Sequence, residues 1–312
     1  IDSPRLDVKQ NPLYEEGGLA YLDTHYYGGI KKYQWVTIPL AIHGVVAKED
    51  GTLVDITIGE KEEDPVFCVT DLLIHLSAEQ LEKKAAKVIE GEALDLLFGS
   101  LPLADTEKDA VKAGVLALLA EHYGIEEDDF LSAELEIVPA GKARELGVDR
   151  SMILAYGQDD RVCAYTSLVA MLETEATEKT TCCLLVDKDE IGSVGATGMQ
   201  SKFFENTVAE IFACLGDYSE LKVRRCLARS RMLSSDVTAG FDALFASAYD
   251  KKNVAYLGAG MVFNKFTGSR GKSGSNDANA EYLGKIRAMM EKHSVRIQMS
   301  ELGKVDLGGG GT

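Results

Sequence analysis

Apolar and polar positions alternate in the early part of the chain. Residues 53–58 alternate after the turn signal Asp50-Gly51, and residues 33–40 and 41–47 are rich in β-branched and aromatic side chains. A period of two is typical of a strand that buries one face, and Asp-Gly is a common hairpin turn. The pattern predicts strands over all three segments and a β-rich region with hairpins.

Apolar residues change their spacing to three and four positions over residues 78–89 and 107–123. This spacing places apolar side chains on one face of a helix, and the break Gly99-Ser100-Leu101-Pro102 separates the two segments. Two helices are therefore predicted in this part of the chain.

Helical and strand-like patterns alternate from about Asp149 onward. Apolar runs at residues 181–186 and 229–233 fit buried strands, and helical spacing lies between them. Such alternation predicts a mixed or largely parallel sheet covered by helices. The predicted helices span residues 161–175, 202–215, 218–227, 239–248 and 280–293, and a loop spans residues 268–279.

Composition and charge exclude several classes of protein. Acidic residues outnumber basic ones 50 to 33, giving a net charge of −17, so no cationic surface is available for nucleic acid. A length of 312 residues, 46% of them hydrophobic, predicts two domains with a large core. Six cysteines without CxxC pairing are typical of reduced thiols, and apolar runs fall short of the roughly 18 residues that span a bilayer. We expect a cytoplasmic protein that binds neither nucleic acid nor membrane.

Three acidic clusters lie at the ends of predicted elements. Asp159 and Asp160 precede a predicted helix, residues 187–190 follow one predicted strand, and Asp236 follows the other. Loops at the carboxyl ends of strands converge on one edge of an open α/β sheet, so these carboxylates are expected to meet. Carboxylates gathered in one cleft require protons or cations, and two divalent metals there would suit hydrolysis of a peptide or a phosphate ester.

Each acidic cluster also has an ordinary structural interpretation. Asp159 with Asp160 could cap a helix, residues 187–190 could form a polar turn, and Asp236 could be a helix N-cap. Taken singly, these interpretations are favoured, whereas the combination of the three clusters favours a metal site.

Six segments carry motifs that occur together, in this order, in one family. They are Asp2-Ser3-Pro4-Arg5-Leu6, residues 24–33, Gln158-Asp159-Asp160-Arg161, residues 187–193, Ser234-Ser235-Asp236 and residues 302–306. They resemble the aspartyl aminopeptidase and vacuolar aminopeptidase I family of dinuclear zinc aminopeptidases. The similarity extends over essentially the whole chain, and the ordered set is more specific than any single motif.

The resemblance implies an enzyme that removes the N-terminal residue of peptides with two zinc ions, for which Co²⁺ or Mn²⁺ can substitute. Asp159 is similar to the carboxylate that bridges both metals, and Glu190 and Asp236 are similar to ligands of one metal each. Asp189 matches the general base that takes a proton from the bridging water and later gives it to the leaving amine, although the family usually has glutamate there. Asp2 resembles an acid that orients a metal-binding histidine.

The resemblance also implies two histidine ligands that are absent from these 312 residues. One would lie immediately before Ile1, and the other beyond the Gly-rich stretch 308–312, which is expected to form a backbone turn lining the active site. Three of five expected ligands are therefore present, and we expect the sequence to be an excerpt truncated at both ends. His75 resembles a histidine that the family inserts into a neighbouring active site, with a core histidine as the alternative. Lys265 resembles a basic residue near the substrate pocket.

Together these observations predict an α/β fold with two domains. A mixed-sheet zinc exopeptidase catalytic domain would comprise residues 1–8 and 149–312, interrupted by a β-rich oligomerisation domain over residues 9–148. The resemblance implies a large homo-oligomer, commonly a dodecamer. A two-metal phosphohydrolase and a non-catalytic shell protein of the same fold are the alternatives, and the sequence does not distinguish acidic from apolar N-terminal substrates.

Overall fold

The computed structural model describes residues 1–268, 271–274 and 277–309 and divides the chain into two units. The inserted unit comprises Pro4–Tyr156, and the discontinuous unit comprises Ile1–Ser3 with Gly157–Thr312. The inserted unit is therefore larger than the expected range 9–148 at both of its ends. The reason is that the first strand of the inserted unit begins at Arg5 and its last strand ends at Leu154.

A seven-stranded antiparallel sheet forms the inserted unit. Its strands are β1 (Arg5–Glu16), β2 (Leu19–Tyr27), β3 (Leu40–Ala47), β4 (Leu53–Ile58), β5 (Cys68–Val69), β6 (Leu96–Gly99) and β7 (Ala133–Pro139), in the spatial order β4-β3-β7-β1-β2-β6-β5. The register of β1 on β2 shifts between Val8 and Leu13, around the buried Pro12, which cannot donate a ladder hydrogen bond. The β-rich character predicted for this region is confirmed.

The core of the inserted unit lies between this sheet and one helix. The helices are α1 (Ala78–Leu81), α2 (Ala85–Val88) and α3 (Ala110–Tyr123), and a separate hairpin is formed by β8 (Arg144–Leu146) and β9 (Met152–Leu154). Val111, Val115 and Leu119 are spaced by four residues along α3 and are buried. Because that spacing puts them on one face of the helix, they pack against β1, β2 and β6.

Two predictions for the inserted unit are wrong in detail. Residues 33–40 do not form a strand, because Thr37 has a φ of 61° and Pro39 precedes β3; a 3₁₀ turn at Lys32–Gln34 buries Trp35 and Val36 instead. The helix predicted over residues 78–89 is two single turns, α1 and α2, because Lys84 adopts an extended backbone between them.

The discontinuous unit is mainly helical. It contains α4 (Gln158–Leu172), α5 (Phe203–Cys214), α6 (Glu220–Arg229), α7 (Ala280–Lys292), the parallel pair β10 (Met261–Asn264) and β11 (Ile297–Ser300), and 3₁₀ helices at Asp189–Ile191 and Ala243–Ala248. The mixed α/β class is confirmed.

The strands predicted at 181–186 and 229–233 are wrong. Within the described residues, segment 181–186 has no sheet neighbour, and α6 continues through Arg229 before the chain becomes irregular. The predicted helix 239–248 is only a short 3₁₀ helix. None of the helices in the described part of the chain has the length and apolar content needed to cross a bilayer.

Candidate metal centre

The first three residues bring together two acidic segments of the discontinuous unit. The main-chain nitrogen of Ile1 lies 2.7 Å from the carbonyl oxygen of Val186. Asp2 Oδ1 accepts a 2.9 Å hydrogen bond from the main-chain N–H of Asp189. Ser3 Oγ donates a 2.8 Å hydrogen bond to the carbonyl oxygen of Asp159. Side chains that are distant in sequence are thereby placed at one site.

Asp159 and Asp160 lie in the first turn of α4, but their backbone is not helical. Asp159 has φ −85° and ψ 111°, Asp160 has φ −115° and ψ 25°, and the peptide bond between them is cis. The residue that precedes α4 is Gly157, and no side chain caps the helix. The helix-cap interpretation of these two aspartates is therefore wrong.

Asp189 and Glu190 lie in a 3₁₀ turn that follows Asp187. Left-handed residues border this turn on both sides, Lys188 with φ 67° and Gly192 with φ 95°. Asp187 accepts from Thr197 Oγ1 at 3.1 Å and pairs with Lys188 Nζ at 2.9 Å, which anchors the start of the turn. The polar turn expected from the sequence is present, and it also presents Asp189 and Glu190 to the site.

Asp236 lies in an irregular segment rather than at the start of a helix. Its Oδ1 accepts a 2.6 Å hydrogen bond from the main-chain N–H of Val237, and the next helical residues begin only at Ala243. The N-cap interpretation of Asp236 is therefore wrong. Its carboxyl group lies within hydrogen-bonding reach of Asp159, a contact that requires a proton on one of the two.

Electrostatic repulsion shows that these carboxylates share one cluster. Burial raises the pKa of Glu190 to about 7, and repulsion from Asp159, Asp2, Asp189 and Asp236 adds to the effect. The pKa values of Asp159 and Asp236 are raised for the same two reasons, burial first and neighbouring carboxylates next. Each neighbour raises the cost of ionising the others, so the cluster favours protons or cations.

The donor set is suited to divalent cations but is not closed. Carboxylate oxygens are ligands for such ions, and a cation placed among carboxylates with raised pKa values would relieve their repulsion. In residues 1–268, 271–274 and 277–309, however, no three His, Cys, Asp or Glu side chains converge tightly enough to hold an ion. Zinc normally takes nitrogen or sulfur ligands as well, so the carboxylates supply one part of a zinc site.

Three residues at the site were not indicated by the sequence. Ser3 is 8% exposed and contacts Asp159 through its hydroxyl group. Ser193, equally buried, lies 3.4 Å from Asp189 Oδ1 through Oγ. Cys163, four residues after Asp159, has a pKa raised by burial and by the nearby carboxylates. The spacing of four residues between Asp159 and Cys163 could have indicated from the sequence that the two lie close together on α4. The contacts of Ser3 with Asp159 gave no such indication, because they join segments distant in sequence.

The other predicted site residues lie elsewhere. His75 is exposed in a 3₁₀ turn, Ile74–Leu76, of the inserted unit, so the core interpretation is wrong. Lys265 lies 3.8 Å from Asp277 and is half exposed. In the Gly-rich stretch expected to line the active site, residues 310–312 lie outside the described residues.

Comparisons with known proteins all indicate one family of aminopeptidases. A family model described as Aminopeptidase I zinc metalloprotease (M18) matches residues 1–312. A probable M18 family aminopeptidase 1 of Clostridium acetobutylicum is 64% identical over 313 residues, which cover 100% of this chain and 67% of that protein. The crystal structure of an M18 aminopeptidase from Thermotoga maritima has a TM-score of 0.96 at 48% identity and covers 100% of this chain and 69% of that one. The S. cerevisiae mApe1 dodecamer has a TM-score of 0.68 at 16% identity, covering 98% and 67%, and supports the fold alone.

Proposed function

Because the chain belongs to the M18 family of zinc aminopeptidases, we propose that it removes N-terminal residues from peptides with two bound divalent metal ions. The observation that carries this proposal is the gathering of Asp159, Glu190 and Asp236 in one solvent-accessible cluster where their pKa values are raised. Raised pKa values produced by burial and specific charged neighbours are characteristic of functional sites.

Zinc is the proposed ion, with two per chain and with Co²⁺ or Mn²⁺ able to substitute. When bound, the pair would polarise the scissile carbonyl and make a water molecule more acidic. Asp159, Glu190 and Asp236 would hold the ions through their carboxylate oxygens. Asp159 is proposed as the shared ligand because its charge raises the pKa values of both Glu190 and Asp236.

Asp189 is proposed as the general base. It would take a proton from the attacking water and return it to the leaving amine. Two contacts support this role: Asp2 accepts the main-chain N–H of Asp189 at 2.9 Å, and Ser193 Oγ lies 3.4 Å from its Oδ1. Both contacts restrict the orientation of a base whose efficiency depends on its position.

The inserted unit is proposed to mediate self-association into a large homo-oligomer, as in the solved mApe1 dodecamer. Four apolar side chains around His75 support this proposal: Leu72, Leu73, Ile74 and Leu76 are between 52% and 68% exposed. Contiguous exposed apolar surface is typical of an interaction site. In such an assembly His75 would reach a neighbouring active site and Lys265 would lie near the substrate.

The six cysteines support a reducing location. All six are free thiols, and the described part of the chain thus offers no disulfide as a sign of an oxidising compartment. We therefore retain a cytoplasmic location as part of the proposal.

Hydrolysis of aspartyl, glutamyl and leucyl anilides by the zinc-loaded full-length protein, with a phosphate ester assayed in parallel, tests the proposed function. Asp159→Asn should lower anilide hydrolysis by about 100-fold or more, since losing a ligand should exceed the 10- to 100-fold effect of losing an outer partner. Asp250→Asn, at an exposed aspartate of the same unit, is the matched control and should retain activity. Equal activity in both variants, or cleavage of the phosphate ester alone, would refute the proposal.

A further inference from the structure

The Ser3 hydroxyl group contacts the backbone at the irregular start of α4. Because Asp159 and Asp160 depart from helical φ and ψ, the carbonyl of Asp159 accepts its hydrogen bond from Ser3 Oγ, at 2.8 Å. Ser3 is only 8% exposed, so water is a poor substitute for this donor. Removing the Ser3 hydroxyl group takes a hydrogen-bond donor away from this carbonyl, and the local backbone would shift to find another.

The approach of Ser3 to this segment depends on a glycine. Gly157 has a φ of 77°, and a Cβ at this position would lie 3.3 Å from Ser3 Oγ and 3.3 Å from Arg161 Nε. A side chain at residue 157 would crowd the hydroxyl group that reaches Asp159. The sequence around the start of α4 thus leaves space for Ser3 beside the backbone.

Asp2 and Ser3 contact different acidic segments through opposite hydrogen-bonding roles. Asp2 accepts the main-chain N–H of Asp189, whereas Ser3 donates to the main-chain carbonyl of Asp159. The dipeptide therefore links the segment that carries Asp189 and Glu190 to the segment that carries Asp159. The separation between the carboxylates of the two segments depends on both bonds.

We propose that Ser3 is a positioning residue, whose hydroxyl group fixes the Asp159 backbone so that the Asp159 carboxylate faces Glu190 and Asp236. This inference rests on the proposed metal site. Ser3 contacts neither substrate nor metal; it acts through the main chain of Asp159. Groups that orient a ligand in this way typically contribute 10- to 100-fold to metal affinity.

Zinc affinity, measured by competition with a fluorescent chelator, tests the role of the hydroxyl group. Ser3→Ala should weaken zinc binding by about 10-fold or more, and Ser3→Thr, which keeps a hydroxyl group, should restore it. Ser230→Ala is the matched control, because Ser230 Oγ also donates to a carbonyl oxygen, that of Cys226, at 2.9 Å but at an exposed helix end. Its zinc affinity should equal that of the unmodified chain.

Hydrogen exchange adds a readout that is independent of metal. Ser3→Ala should speed amide exchange at residues 158–161, whereas Ser230→Ala should leave it unchanged. Unchanged zinc affinity in Ser3→Ala, or equal losses in Ser3→Ala and Ser3→Thr, would overturn the positioning role while leaving the proposed function intact. All variants are made in the full-length protein, and failure of the unmodified full-length protein to bind zinc would instead refute the proposed function.

Discussion

In the inserted unit, Asp95 is an acidic residue whose ionisation is unfavourable in the folded state. Tyr14 Oη donates a 2.5 Å hydrogen bond to Asp95 Oδ2, and Lys9 Nζ lies 2.8 Å from Asp23 and 2.9 Å from Glu92. Burial raises the pKa of Asp95, repulsion from Asp23 adds to this, and the hydrogen bond from Tyr14 opposes it. Lys9 forms its ion pairs with Asp23 and Glu92, and not with Asp95.

The raised pKa of Asp95 predicts a pH-dependent stability. The folded state holds this proton more tightly than the unfolded state, so the contribution of Asp95 is most favourable at low pH and is lost as the pH rises through the folded pKa. Asp95→Asn removes the charge and keeps an acceptor for Tyr14. The variant should have a higher free energy of unfolding than the unmodified chain at pH 7, and the difference should vanish below about pH 3, under the ordinary aspartate pKa of roughly 3.9.

Urea unfolding followed by fluorescence of Trp35 measures this difference. Trp35 is the single tryptophan of the chain, is 7% exposed and reports on the inserted unit. Asp128→Asn, at an exposed aspartate of the same unit, provides the control and should change little at either pH. A variant at Asp95 that is less stable than the unmodified chain at pH 7 would contradict the assigned direction of the pKa shift.

At the scale of elements, the pairing of β3 with β7 depends on Gly44. Gly44 has a φ of 141°, and a Cβ there would overlap the carbonyl oxygen of Glu134 on β7. Gly44→Ala should therefore lower the free energy of unfolding by at least about 2 kcal/mol, from backbone strain and overpacking together. Urea unfolding with Trp35 fluorescence again provides the measurement.

The Gly51→Ala variant separates the cost of backbone strain from the cost of overpacking. Gly51 has a φ of 86° but no atom within 4 Å of an added Cβ, so only the backbone cost applies. Its loss should be the smaller of the two, about 1 kcal/mol. Equal losses at Gly44 and Gly51 would show that the close approach of β7 contributes nothing.

The spacing of apolar residues correctly predicted those elements that bury one regular face. Residues 53–58 alternate and form β4 with the predicted bounds, and the helix at Ala280–Lys292 differs from its prediction by one residue. Residues 181–186 have the composition of a buried strand, yet a strand also requires a hydrogen-bonded neighbour, which local composition cannot specify. Similarly, β1 was not predicted, because its irregular register around Pro12 disrupts the alternation.

The candidate site was predictable in its residue types but not in its connections. Asp159, Asp189, Glu190 and Asp236 were identified from acidic clusters and family motifs, and their electrostatic contacts place them together. From the sequence, the carboxyl ends of two predicted strands were expected to bring these residues together, but neither strand forms. Contacts from the first three residues hold two of the acidic segments instead, and contacts across about 150 residues leave no local pattern.

Over the whole molecule, the two units differ in how many apolar side chains they bury. The large apolar core belongs to the inserted unit, and α4 and α5 of the discontinuous unit contain no fully buried residue. We therefore expect the discontinuous unit, in this 312-residue chain, to open more readily.

Native-state hydrogen exchange tests this difference. Amides of β3 and β7, which lie inside the sheet, should exchange only by global opening of the inserted unit. Amides of α4 and α5 should exchange at least about 100-fold faster, because few buried apolar contacts oppose their local opening. Equal protection of these helices and strands would contradict the expected order of stability.

Asp159, Glu190 and Asp236 are proposed to bind metal ions in an aminopeptidase site, and the number of bound zinc ions tests this proposal. Elemental analysis of the zinc-equilibrated full-length protein, which would include the two expected histidine ligands, should give two zinc ions per subunit after removal of free metal. Asp159→Asn, which alters the proposed shared ligand, should give at most one, and Asp250→Asn should still give two. A zinc content that is unaffected by Asp159→Asn would contradict the account.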